Sequence, residues 1–134
     1  MTASAPPLLV ADEEFLARFI LFSKWVRSSD QTIKSDAFTP FPYPDLSVTR
    51  HTGLTEDNIW EKGNDVAAER AKTLYGRADV STANVRKQDL IVKADPIPNK
   101  NVNHANITSW PQDKPTQKII AQLIAAEANY VAKQ

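Results

Sequence analysis

His51 and His104 are the two histidines of the 134-residue chain, and they are the side chains whose ordinary titration lies near neutral pH. Each stands among hydrogen-bonding neighbours: His51 follows Arg50, and His104 follows Asn103 in an asparagine-rich run ahead of Trp110. Tyr75 and Arg77 flank Gly76, while Lys114 and Gln117 open the last helical stretch. All eight fall in loops or at the ends of elements. If a sheet brings those ends together, Arg50, His51, Tyr75, Arg77, Asn103, His104, Lys114 and Gln117 make a cationic pocket. The start of the C-terminal helix adds free backbone donors, so phosphate or a phosphorylated small molecule fits such a place. Metal-free RNA cleavage draws on the same set. It needs one imidazole to take a proton from the 2′-hydroxyl, a second group to protonate the leaving oxygen, and a cation for the phosphorane. His51, His104 and either Arg50 or Arg77 are the catalytic candidates.

A structural account of the same residues stands beside this one. Asparagine-rich turns are held by side-chain bonds to the backbone, and His104 there can simply brace the loop. Arg50 and Arg77 can pair with Asp79, Glu56 or Asp57. Trp60 lies on an apolar helical stripe and reads as core, and Trp110 beside Pro111 reads as a staple at a helix entrance. Tyr43 in "PFPYP" reads as an exposed aromatic available to a partner protein.

Other chemistries find no pattern. There is no nucleotide-binding glycine loop, HExxH or calcium loop, and neither histidine has a partner at close helical spacing, so no metal and no cofactor is expected. No serine sits in a G-x-S-x-G elbow, which gives serine hydrolysis no motif to stand on. Cysteine is absent, removing disulfides and thiolate chemistry and making a cytoplasmic home the simplest expectation. Sixteen basic and sixteen acidic residues cancel, so any anion recognition must be local rather than a property of the whole surface. No apolar run approaches the roughly 18 to 20 residues of a membrane span, and no membrane association is expected.

The elements that must position these groups follow from periodicity. Residues 1–12 carry no pattern and read as a flexible tail, with a single α+β domain over 13–134. "EFLARFILFSKWV" is either a buried strand or a helix running into one; its aromatics and short length favour the strand. The proline- and serine-rich stretch from Ser28 to Pro44 is a long connection pinned by Ile33, Phe38 and Phe41. "LSVTRH" alternates as a strand, sending Arg50 and His51 in opposite directions. Thr55 caps a helix that runs to about Arg70, whose stripe of Ile59, Trp60, Gly63, Val66 and Ala67 puts Gly63 at a close packing point. "KTLYGRADV" reads as a strand, "STANVRKQ" as a short helix capped by Ser81 or Thr82, "DLIVKADPIP" as a strand ended by prolines, and "HANIT" as the last short strand. From Thr116 the apolar spacing predicts an amphipathic helix reaching Val131, with Pro115 in its first turn. The sum is an α+β fold, a mostly antiparallel sheet with the two longer helices covering its apolar face.

"SDAFTPFPYPDLSVTRH", "ADPIPNKNVNHANITSWP" and "KIIAQLIAAEA" together resemble a group of small uncharacterised bacterial proteins that share aF-x-P, LSV-x-R and N-P-x-H-A-x-I stretches. The likeness spans residues 14–130 and marks Phe38, Arg50, Asn103, His104 and Ala105 as motif positions; Val102 stands where such relatives often have proline. It implies a bacterial source, among mobile or defence genes, and no activity. The expectation for function is a cytoplasmic binding or interaction protein for a phosphate-bearing ligand or a partner protein. The alternative is a metal-independent ribonuclease or nucleotide-processing toxin acting through His51 and His104. A structural subunit that docks on a neighbour through "PPLLV" and "PFPYP" is the third.

Overall fold

The computed structural model describes residues 5–134, and every strand pairing in it is antiparallel. In chain order the elements are β1 (Phe15–Ile20), β2 (Leu46–Arg50), α1 (Glu56–Glu69), β3 (Gly76–Ser81), α2 (Thr82–Arg86), β4 (Ile91–Ala94), β5 (His104–Thr108), α3 (Lys114–Ala126) and β6 (Asn129–Ala132), with 3-10 turns at Ser23–Trp25 and Ser35–Phe38. The six strands form one sheet in the order β4-β5-β2-β1-β3-β6, packed by the two long helices of an α+β domain.

Alternation along the central strand divides the core. Leu16 and Ile20 of β1 join Phe38, Ala121, Ile124 and Ala125, whereas Ala17 and Phe19 join Ile59 and Ala67 of α1. Successive strand residues point to opposite faces, so α3 covers one face and α1 the other. This corrects the expectation of both helices on one face: β1 is apolar on both of its sides. Thr55 and Asn58 close a reciprocal capping box at the start of α1. Gly63 lies so near the sheet that a β-carbon there would stand 2.8 Å from the Phe19 ring.

The C-terminal helix is shorter than its periodicity predicts. Glu127 caps α3, and Asn129–Ala132 form a strand on β3, pairing Ala78 with Tyr130 and Arg77 with Val131. Without β6, the outer edge of β3 would present unpaired backbone groups, and pairing them outweighs one further helical turn. The N-terminal stretch also departs from the expected tail. Residues 1–4 lie outside the described residues, but Val10 is 2% exposed in the core, and Arg86 holds both the Val10 carbonyl and Asp12, each at 2.6 Å. In the long connection Ile33 and Phe38 are buried as expected, while Phe41 is 53% exposed. No helix among the described residues is long and apolar enough to cross a membrane.

Candidate functional site

Arg50 ends β2 on the α3-covered face, as the alternation of β2 requires. Its Nε donates to Glu14 Oε1 at 2.8 Å, Nη2 to Glu14 Oε2 at 2.9 Å, and Nη1 to the Pro7 carbonyl at 2.7 Å. The side chain is 1% exposed. Burial works against the charge on Glu14, but hydrogen bonds from Arg50, Thr52 and the Ala11 N–H, with the Arg50 charge, outweigh it and hold the carboxyl at about 2. Asn103 is equally occupied. Its Nδ2 donates to the carbonyls of Arg50 at 2.9 Å and Thr52 at 2.7 Å, clasping the loop before β5 to the end of β2. Both residues hold the fold together through these bonds.

His51 and Arg77 belong to the α1-covered face. Arg77 Nε bonds both Asp79 oxygens at 3.0 and 3.1 Å, its Nη1 and Nη2 reach Glu56 at 3.1 and 2.7 Å, and its guanidinium stacks 4.8 Å from the Trp60 ring. Burial lowers the Arg77 pKa, yet the bonds to Glu56 and Asp79 and the charges of both carboxylates raise it overall. Asp79 Oδ1 also takes His51 Nε2 at 3.0 Å. Glu56, Arg77, Asp79 and His51 thus form one hydrogen-bonded chain, and the expected pocket cations Arg50 and Arg77 are occupied by carboxylates.

His104 stands elsewhere on the same face and opens onto a cleft of about 1520 Å³ between the second half of α1, the connection before β2 and the loop before β5. Lys114 also lines it, with Nζ 3.7 Å from the Phe41 ring centroid. Arg50, His51, Tyr75, Arg77, Asn103 and Gln117 do not. Tyr75 is exposed near a small surface recess, and Gln117 is buried, donating to the Pro111 carbonyl at 2.7 Å. The two imidazoles therefore do not share a cavity. Of the motif positions, Phe38 and Ala105 are fully buried and Arg50 and Asn103 are internally bonded, which leaves His104 as the one facing the cleft.

Arg18 also lines the cleft, a cation outside the residues expected from the sequence. β1 pairs β3 over six positions but β2 over two, Leu16 with Arg50 and Ala17 with Thr49. Where the β1–β2 register stops, Arg18 fills the gap: Nη1 donates to the Ser47 carbonyl at 3.1 Å and Nε to the Ala37 carbonyl at 2.8 Å. Its guanidinium lies 5.5 Å from the Trp25 ring centroid. Among the described residues Arg18 has no carboxylate partner, and its Nη2 has no hydrogen bond. Burial and repulsion from Arg70 lower its pKa to about 10. The signal was an arginine inside the apolar run "FLARFI", a costly placement unless something offsets it. Seven basic and four acidic side chains line the cleft, a local excess on a chain of zero net charge. No group of three or more histidines or carboxylates among the described residues is placed to hold a metal ion.

Fold and site define an α+β protein with a basic cleft at a split in its sheet. No family model, curated protein or solved structure matches the chain.

Proposed function

We propose that the protein binds a phosphate-bearing small ligand in this cleft, with Arg18 as the anion anchor in place of Arg50 and Arg77. The supporting observation is the half-buried guanidinium of Arg18, bonded to two backbone carbonyls and to no carboxylate. A desolvated cation without a counter-charge is costly, and a bound anion offsets both the burial and the repulsion from Arg70. Phosphate matches the planar, two-pronged donor geometry of arginine. The volume of about 1520 Å³ exceeds the ~300–1,000 Å³ of ordinary small-ligand pockets, leaving room for an organic body beyond the phosphate.

The test is thermal unfolding of the protein in rising concentrations of inorganic phosphate and pyrophosphate. A ligand at a hundred times its Kd stabilises the folded form by about 2.7 kcal/mol, which raises Tm by several degrees in a domain of this size. The response should saturate in the wild-type protein and vanish in Arg18→Gln. An equal response in both would remove the proposal.

A further inference from the structure

We infer that Ser47, His104 and Asp95 form a nucleophile, general base and orienting acid, so that the cleft cleaves an acyl compound carrying a phosphate near its carbonyl. The register of β2 on β5 sets Thr49 opposite His104 and Ser47 opposite Asn106, which makes Ser47 and His104 diagonal neighbours on one face. His104 Nε2 lies 3.1 Å from Ser47 Oγ. Its Nδ1 faces two acceptors, the Asp95 carbonyl at 3.0 Å and Asp95 Oδ2 at 3.2 Å. Nδ1 therefore carries the proton, and Nε2 offers its lone pair to the Ser47 hydroxyl, the tautomer that a general base requires. Asn106 Nδ2 holds Asp95 Oδ2 at 3.1 Å, which fixes the acid in turn. Ser47 is exposed, and it lines the cleft together with His104.

The substrate class follows from Arg18. Its Nη1 already rests on the Ser47 carbonyl, so an anion on its remaining donors sits beside the serine. An acyl phosphate places its leaving group there, and this assignment rests on the reading of Arg18 as the anion anchor. In the first step Ser47 Oγ bonds to the carbonyl carbon and passes its proton to His104 Nε2; the carbon–oxygen bond to phosphate then breaks, its electron pair leaves with the bridging oxygen, and the imidazolium hands its proton to that oxygen, so hydrogen phosphate departs and Nε2 is free again. In the second, water attacks the acyl-serine and gives a proton to His104 Nε2. The carbon–Oγ bond then breaks, Ser47 recovers a proton from His104, and the carboxylic acid ionises on release. The sum is acyl phosphate plus water to carboxylate, hydrogen phosphate and one proton.

The probes are acetyl phosphate, p-nitrophenyl acetate as a phosphate-free acyl donor, and a fluorophosphonate that labels activated serines. Wild-type protein should release phosphate above the buffer rate and carry the label on Ser47. Ser47→Ala should lose turnover to the buffer rate, and His104→Gln should lose about 10²- to 10⁴-fold, both with unchanged circular dichroism. Turnover that survives Ser47→Ala, or a folded wild-type protein with neither turnover nor label on Ser47, would overturn the assignment. Phosphate stabilisation of Ser47→Ala without any wild-type turnover sinks the triad and spares the anion site. Ser47-dependent cleavage of p-nitrophenyl acetate without any phosphate effect on Tm does the reverse.

Discussion

Arg50 and Glu14 meet in two parallel hydrogen bonds that tie the end of β2 to the residue before β1, across 36 positions of chain. The third arm of the guanidinium reaches back to Pro7, so one buried side chain anchors both the sheet and the segment leading into it.

That pair sets the acid sensitivity of the fold. Glu14 is held at about 2 against an ordinary value of 4.5, so the folded state binds its proton less readily than the unfolded state. The stabilisation is fully present above pH 4.5 and is lost as pH falls from there through about 2; it is on the order of 3 kcal/mol. Urea midpoints measured from pH 7 down to pH 2 should show this decline. Glu14→Gln should be less stable at pH 7 and should have a flatter acid limb; an unchanged limb would assign the sensitivity to other carboxylates.

Removing Arg77 should damage stability and leave the cleft alone. Arg77→Met strips the buried Asp79 of the cation that bonds both of its oxygens, which costs about 3 kcal/mol or more in urea unfolding. His51→Ala at the other end of the chain removes a side chain that is 23% exposed and should cost about 1 kcal/mol or less. Neither residue lines the cleft, so both variants should keep the wild-type Tm response to phosphate. A lost response in His51→Ala would return that histidine to the ligand site.

The order of elements was legible because its causes are local. Thr55 with Asn58, Ser81 with Asn84, and Asp113 with Thr116 are caps within a single turn, and each helix starts where such a cap falls. The site was not, because its causes are distant. Arg18, Ser47 and His104 converge through the premature end of the β1–β2 register and the alignment of β5 on β2, relations that no spacing along the chain encodes. Arg50 misled for the same reason, since Glu14, which neutralises it, lies 36 residues away, whereas the pairing of Arg77 with Asp79 and Glu56 is the one its structural account expected. The strand β6 was hidden because Ala128 and Val131 continue the helical spacing, although Val131 pairs with Arg77 in the sheet.

Gly76 shows how closely β6 is seated. A β-carbon at this position would come within 2.5 Å of the Val131 carbonyl and 2.7 Å of the Tyr130 ring. The carbonyl is backbone and cannot rotate aside, so Gly76→Ala must push β6 away from β3, at about 1–3 kcal/mol. Amide exchange should accelerate first in residues 129–132, with β2 and β5 unaffected. Uniform acceleration across the sheet would mean that β6 detaches only with global unfolding.

Arg18 and Arg70 should respond differently to salt, because they differ in burial rather than in charge. Arg18 is half-buried between β1 and β2, where salt screens it less than an exposed charge; Arg70 is exposed at the end of α1 and lines the same cleft. At low salt Arg70→Gln should weaken phosphate binding by roughly three- to tenfold, the effect of one nearby surface charge at an effective dielectric far above that of a dry interior. Raising potassium chloride to about 1 M shortens the screening length to about 3 Å, so the Arg70 contribution should fade to nothing. The Arg18 contribution rests on direct hydrogen bonds in a partly desolvated gap and should persist. Phosphate titrations of both variants at low and high salt measure this, and Arg18→Gln matching the wild-type protein at high salt would place the anchor in the diffuse field of the rim instead.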